Sequence, residues 1–108
     1  MGKIELDFEK AKSQANDLDN VASQLRRLSN NSLNGTINGI QQAWKSDSSG
    51  KFCSKARTVQ SELISIASEL EKAASAIRTT AKAIYDAEKQ AEEIARQRAY
   101  NNGGGGAW

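Results

Sequence analysis

Apolar residues recur every three or four positions along two long stretches of this chain, and this spacing constrains the fold more than any other feature. The first stretch runs from Ile4 to Trp44 and the second from Phe52 to Ile94. Such spacing is typical of amphipathic helices that pack along their whole length, close to the repeat of a coiled coil. The 108 residues include no proline and only 6% aromatic residues, which also favours long helices over a sheet. We therefore expect an all-α protein.

A polar segment, AWKSDSSGKF at residues 43–52, separates the two stripes. It predicts a turn over about 44–49 between a helix at about 4–43 and a helix at about 50–98, so that residues 1–98 form one antiparallel two-helix hairpin. Because a hairpin alone leaves part of each stripe in contact with water, we expect pairing with a second hairpin into a four-helix bundle. The predicted interface stripe includes Leu18, Leu25, Leu63, Ile66, Leu70 and Ile77.

The first stripe has one break, a step of five residues from Leu28 to Leu33. It lies in a segment rich in asparagine and glycine, which are weak helix formers. Because Leu33 and the residues after it keep helical spacing, we favour a continuous but weakened helix, and a loop is the alternative. In that helix Gly35 and Gly39 would lie on one face, where they let another helix approach closely or simply mark local fraying.

The two ends of the chain carry separate predictions. The ending NNGGGGAW predicts a flexible tail over 99–108, because consecutive glycines lose much backbone entropy in a helix. Trp108 is then either a docking residue or incidental. The N-terminus lacks a cationic segment followed by an apolar run, and no stretch is apolar enough to span a bilayer. We therefore expect no signal peptide and no membrane insertion.

Composition argues against several classes of function. The net charge of +2 comes without a basic stripe, so nucleic acid and anionic membranes are not expected partners. Histidine is absent and Cys53 is the one cysteine, which leaves no internal disulfide and no histidine-activated nucleophile. The adjacent Glu92 and Glu93 point in different directions on a helix and are expected to be solvated. We predict no enzymatic activity, no metal and no cofactor.

The turn contains a pattern that a generic turn does not require. Trp44 and Phe52 flank it, with Ser46 two positions and Ser48 four positions after the tryptophan, and its polar residues are candidates to cap the second helix. This pattern resembles the WXG family, the early-secreted-antigen-like proteins of type VII secretion. That family has a Trp-Xaa-Gly turn in mid-chain, a small residue four positions after the tryptophan and a phenylalanine eight after it. Ser46 stands at the glycine position, and the resemblance covers about residues 4–95.

The family also carries an export signal, Tyr-Xaa-Xaa-Xaa-Asp/Glu, late in the second helix. Tyr85 lies where that tyrosine belongs, but Lys89 occupies the acidic position. Glu88 lies on nearly the same helical face and is the candidate replacement. The alternative for Tyr85 is an ordinary aromatic residue at the edge of the stripe. The departure fits a protein that is exported with a partner carrying the complete signal.

The resemblance implies a non-enzymatic component of a type VII secretion system that is cytoplasmic before export and then secreted or at the cell surface. In the favoured interpretation it is a targeting chaperone, which packs beside the helical N-terminal domain of a larger secreted substrate, such as an LXG-type toxin. It would help to present that substrate to the secretion ATPase. The alternatives are a homodimer that is itself a secreted substrate, or an intracellular coiled-coil adaptor unrelated to secretion.

Overall fold

The computed structural model describes residues 2–105. These residues form a helical hairpin without strands, and the all-α prediction is confirmed. The first arm consists of α1 (Lys3–Arg27), a π-helical segment (Leu28–Leu33) and α2 (Asn34–Ala43), and the second arm is α3 (Asp47–Gly105). α3 returns antiparallel along the first arm, and the molecule measures 94 × 19 × 11 Å. A straight helix of 59 residues at about 1.5 Å per residue accounts for the long dimension.

Small side chains form the line of contact between the two arms. Ala15 and Ala22 on α1 and Ala67 and Ala74 on α3 are fully buried, and each pair is one heptad apart in the sequence. Alanine lets the two helix axes approach closely, and the larger apolar residues then fall at the edges of the contact line. The hairpin therefore buries little of its own apolar surface. The other buried residues are Ser29, Ile37, Ser49 and Cys53.

The π-helical segment coincides with the break in the first stripe. A π turn spaces its hydrogen bonds five residues apart, so it carries the step from Leu28 to Leu33 and keeps the stripe against α3. The first arm is thus helical through Gly35 and Gly39. A methyl group added at either glycine would meet nothing within 4 Å. The two glycines therefore do not mediate close approach between the arms of the hairpin, and the approach of a helix from a partner at this position stays a prediction.

Both ends of α3 differ from the sequence prediction. The helix begins at Asp47, inside the predicted turn at 44–49, and it continues to Gly105, past the predicted end at 98. Extending an existing helix requires no new nucleation, and Arg96 pairs with Glu92 at 3.1 Å close to the predicted end. The predicted flexible tail at 99–108 is thus helical as far as Gly105. Trp108 lies outside the described residues.

None of the helices in residues 2–105 combines the length and the apolar composition that a bilayer crossing requires.

Candidate functional site

The hairpin has two unlike long sides, and ion pairs between the arms define one of them. Arg26 follows the buried Ala22 by four residues, and Glu71 follows the buried Ala67 by four, so both lie on the same side of the contact line. We call this side the polar face. Its cross-arm ion pairs are Glu5–Lys89 at 2.7 Å, Asp19–Arg78 at 2.6 Å and Arg26–Glu71 at 2.5 Å.

The pairs on the polar face fix the register of the two arms. The hydrogen bond from Lys89 lowers the pKa of Glu5, and the same bond raises the pKa of Lys89. The hydrogen bond to Glu71 likewise raises the pKa of Arg26. Because these side chains remain partly exposed, solvent screens each pair and its contribution to stability is small. What the pairs determine is which residues of the two arms lie level with each other.

The opposite side of the contact line is apolar and open to solvent. Val21 and Ile66 each precede a buried alanine by one residue, which places them on the side away from the ion pairs. Their exposed fractions are 44% and 50%, and Leu28 and Val59 are similar at 45% and 48%. We call this side the apolar face. It consists of Leu18, Val21, Leu25, Leu28, Phe52, Val59, Leu63, Ile66, Leu70, Ile77 and Ile84.

All six residues of the predicted interface stripe lie on the apolar face. Within that set Ile66 is exposed, and the others are half-buried between the arms and solvent. Shallow grooves follow the face, one beside Ile66 and Leu70 and another beside Ile77 and Ile84. The structure therefore brings the predicted interface residues together, and their contact with a partner stays a prediction.

The turn residues divide into a cap and two exposed rings. Ser46 Oγ accepts a hydrogen bond from the backbone N–H of Ser49, and Ser49 Oγ accepts one from the N–H of Ser46, each at 3.2 Å. This reciprocal arrangement is a capping box in which serine replaces the usual Glu or Gln. Ser46 is thus the N-cap of α3, and the exposed Ser48 lies in its first turn. Trp44 and Phe52 are 49% and 50% exposed.

The rings of Trp44 and Phe52 belong to different surroundings. Trp44 follows the last residue of α2, and its backbone N–H donates a hydrogen bond to the Ile40 carbonyl at 2.8 Å. Phe52 lines a groove with Leu33, Ala56 and Val59, which extends the apolar face towards the turn. Within the described residues, aromatic stacking joins Phe8 to Tyr85 and does not join these two rings.

The candidate export residues lie at the open end of the hairpin. The Tyr85 ring stacks on Phe8 of α1, with ring centroids 4.6 Å apart and an interplanar angle of 28°. Glu88 is exposed and lines the same cleft as Tyr85. Lys89, at the position where the signal carries an acid, donates to Glu5 across the hairpin. Tyr85 and Glu88 are therefore neighbours, and Lys89 serves to join α3 to α1.

Sequence reasoning missed a polar cluster at the π-helical segment. Ser29 Oγ donates to the Gln60 carbonyl at 2.9 Å, and Gln60 Nε2 donates to the Ser29 carbonyl at 2.8 Å. Arg57 donates to the side-chain oxygens of Asn34 and Asn38 at 3.2 and 3.0 Å. The sequence signal that could have revealed this cluster is the step of five residues in the first stripe. Such a step indicates a π turn, and a π turn leaves backbone carbonyls that side chains can reach. The cluster joins the irregular turn of the first arm to α3.

The remaining residue types that can act as nucleophiles or metal ligands do not form a reactive site within residues 2–105. Cys53 is buried, with its sulfur 3.9 Å from the Ile37 carbonyl oxygen. Within residues 2–105, no three Cys, Asp or Glu side chains lie close enough to share a metal ion.

Comparison with known proteins places most of the chain in a known family. The family model WXG100, described as proteins of 100 residues with WXG, matches residues 3–89. The matched range ends at Lys89, the last residue of α3 that forms an ion pair with α1, so it covers the two-armed part of the hairpin. No curated protein and no solved structure gives a significant match to the chain.

Proposed function

Because the chain belongs to the WXG100 family, we propose that it is a partner protein and targeting chaperone for a larger secreted substrate. The match supports the resemblance described from the sequence, which implies a non-enzymatic helical protein of type VII secretion that pairs with another protein or with itself. In this proposal the apolar face packs against the helical N-terminal domain of the substrate, and an LXG-type toxin is an example of such a substrate. The paired hairpins then form a four-helix bundle that is presented to the secretion ATPase.

The observation that supports the proposal most strongly is the exposed apolar face. Six of its eleven large apolar side chains are about half exposed and the other five are half-buried, while the hairpin's own core is mostly alanine. Burying the exposed half of one such side chain contributes about 1 kcal/mol. The six most exposed residues of the face together represent roughly 6 kcal/mol before the cost of association is subtracted; they are Val21, Leu28, Phe52, Val59, Ile66 and Ile84. A surface of this size along a solvent-exposed helix pair is typical of a protein-binding site.

The incomplete export signal supports a partner more than an independent substrate. Tyr85 and Glu88 share the cleft at the open end, but Lys89 is engaged with Glu5 and cannot serve as the acid of the signal. In our proposal the partner carries the complete signal and this chain travels with it. Tyr85 then contributes its stacking on Phe8, and the aromatic residues at the turn, Trp44 and Phe52, extend the binding surface at the closed end.

Export from the native host tests the proposal. We expect the tagged chain to copurify with the helical domain encoded by a neighbouring gene, and to reach the culture medium only when the secretion ATPase is present. Replacing Tyr85→Ala should leave both binding and export intact, because the partner supplies the signal. If the chain is exported without its partner and Tyr85→Ala abolishes this export, the result would favour the alternative that the protein is a homodimer and itself a secreted substrate. Retention in cells whose system is active, without any bound exported protein, would refute both.

A further inference from the structure

We propose that α2 is a separately opening segment, which unfolds locally and leaves α3 while α1 and the rest of α3 stay paired. The opening uncovers the side chains of Ile37 and Cys53, which are buried in the closed hairpin. The closed end of the hairpin therefore has two states, one in which α2 covers this part of α3 and one in which that part is accessible. The opening goes beyond the proposed function, since it does not depend on which partner covers the apolar face.

The amino-acid sequence of α2 is unfavourable for a helix without outside support. Five of its ten residues are weak helix formers, namely Asn34, Gly35, Thr36, Asn38 and Gly39. A helix of ten residues is also shorter than the roughly 12–15 residues that an isolated helix needs in water. The packing of α2 on α3 therefore maintains its helical structure, and this structure is lost when the packing is lost.

The contacts that hold α2 on α3 are weaker than those that hold α1. Residues 28–43 carry no charged side chain, so α2 forms none of the ion pairs that join α1 to α3. The one buried residue of α2 is Ile37. The side-chain hydrogen bonds from α3 to α2 end on Asn34 and Asn38, and the shortest of them, from Arg57 to Asn38 at 3.0 Å, is exposed. α2 thus separates from α3 at a lower cost than α1 does.

Contacts at both ends of α2 confine the opening to this segment. On the side of α1, the fully buried Ser29 exchanges two hydrogen bonds with Gln60 of α3. On the side of the turn, the backbone is extended at Trp44, and the capping box of Ser46 and Ser49 holds the start of α3. The helical hydrogen bonding of the first arm is thus irregular before α2 and ends after it. α2 therefore unfolds without unfolding α1.

Two glycines allow the opening to be changed without changing a contact with α3. A methyl group added at Gly35 or Gly39 meets nothing within 4 Å, so alanine at these positions leaves the packing of α2 as it is. Alanine favours the helical state over glycine by a factor of about three to five at each position. The double variant Gly35→Ala/Gly39→Ala should therefore reduce the population of the opened state about tenfold.

The thiol of Cys53 reports the opening. It is the one cysteine of the chain, and its buried sulfur lies 3.9 Å from the carbonyl oxygen of Ile37 in α2. Iodoacetamide alkylates an accessible thiolate with release of iodide, so the rate of alkylation at a fixed pH measures the population in which Cys53 is uncovered. We expect Gly35→Ala/Gly39→Ala to react about tenfold more slowly than the wild type, at one protein concentration for all variants.

Two control variants separate this opening from other ways of uncovering Cys53. Gly50→Ala also adds a methyl group in open space, but it stabilises the first turns of α3, so it slows alkylation only if the start of α3 frays. Ala74→Gly removes a buried methyl group between α1 and α3, so it speeds alkylation only if the whole hairpin unfolds. We expect both controls to react within about a factor of two of the wild-type rate.

Hydrogen exchange of the backbone amides tests whether α2 opens as one unit. We expect the amides of residues 38–43 to share one protection factor, on the order of tenfold or more below that of the amides around Ala15 and Ala22. Equal protection of α2 and α1, or protection that rises gradually with distance from Trp44, would overturn the inference. Alkylation of Gly35→Ala/Gly39→Ala at the wild-type rate would also overturn it, and so would a change in rate in either control. Such results would leave the export experiment untouched, because binding through the apolar face does not require α2 to open.

Discussion

The substitution Gln60→Met tests whether the polar cluster around Ser29 and Gln60, at the π-helical segment, stabilises the hairpin. Methionine matches glutamine in length and flexibility but lacks the amide donor. Without Gln60 Nε2, the carbonyl of the fully buried Ser29 loses the bond that it accepts at 2.8 Å. A buried carbonyl without a partner costs about 1–3 kcal/mol. For a domain of this size, we therefore expect Tm to fall by about 5–10 °C.

The assay is thermal unfolding followed by circular dichroism, at one protein concentration for all variants because association shifts Tm. Gln90→Met is the control, since Gln90 is an exposed residue of the same helix and its replacement should change stability by less than about 0.5 kcal/mol. If Gln60→Met and Gln90→Met unfold at the same temperature, the cluster does not stabilise the π-helical segment and our reasoning about it is wrong.

Three further predictions concern local stability, each checked by denaturation of matched variants. Ser46→Ala should destabilise the protein by about 1 kcal/mol and Ser46→Gly by only a few tenths, because Ser46 caps α3 and glycine is tolerated at that position; equal losses would contradict its role as a cap. Gly35→Ala and Gly39→Ala should each stabilise the helix by about 0.5–1 kcal/mol, since an added methyl group meets open space, and a loss of stability would refute this. The hydrogen bond from Lys89 lowers the pKa of Glu5 in the folded protein. The bond therefore stabilises the hairpin fully at pH values above the ordinary glutamate pKa of about 4.3, and this stabilisation is lost as the pH falls through the lower pKa of the folded state. A Glu5→Gln variant should lack this part of the acid sensitivity.

The two arms of the fold were predictable because their stripes keep helical spacing over a long distance. The same spacing showed that something changes between Leu28 and Leu33, but it did not show how the backbone absorbs the change. A loop and a π turn both shift the phase of a stripe. The difference depends on contacts from the other arm, such as Gln60 to Ser29, and these require knowing which residues are level in the hairpin.

The candidate site was predictable in part for the same reason. The interface residues follow from the stripe, because large apolar residues beside a line of alanines must fall at its edge. The partner of Lys89 was not predictable, since its pairing with Glu5 depends on the length of the turn. The choice of Ser46 over Asp47 as the cap also depends on the backbone of the turn, where several polar residues are equally suited by type.

The central claim is that the apolar face binds the partner with which this chain is exported, and one measurement tests it directly. Ile66→Asp places a charge in the middle of the face, while Ser61→Asp places the same charge at an exposed position on the other side of α3. Each tagged variant is recovered from the native host and assayed for the helical domain of the neighbouring secreted substrate. We predict that Ile66→Asp abolishes the complex and the export of the chain, and that Ser61→Asp preserves both. A complex that forms equally well with Ile66→Asp would contradict the claim.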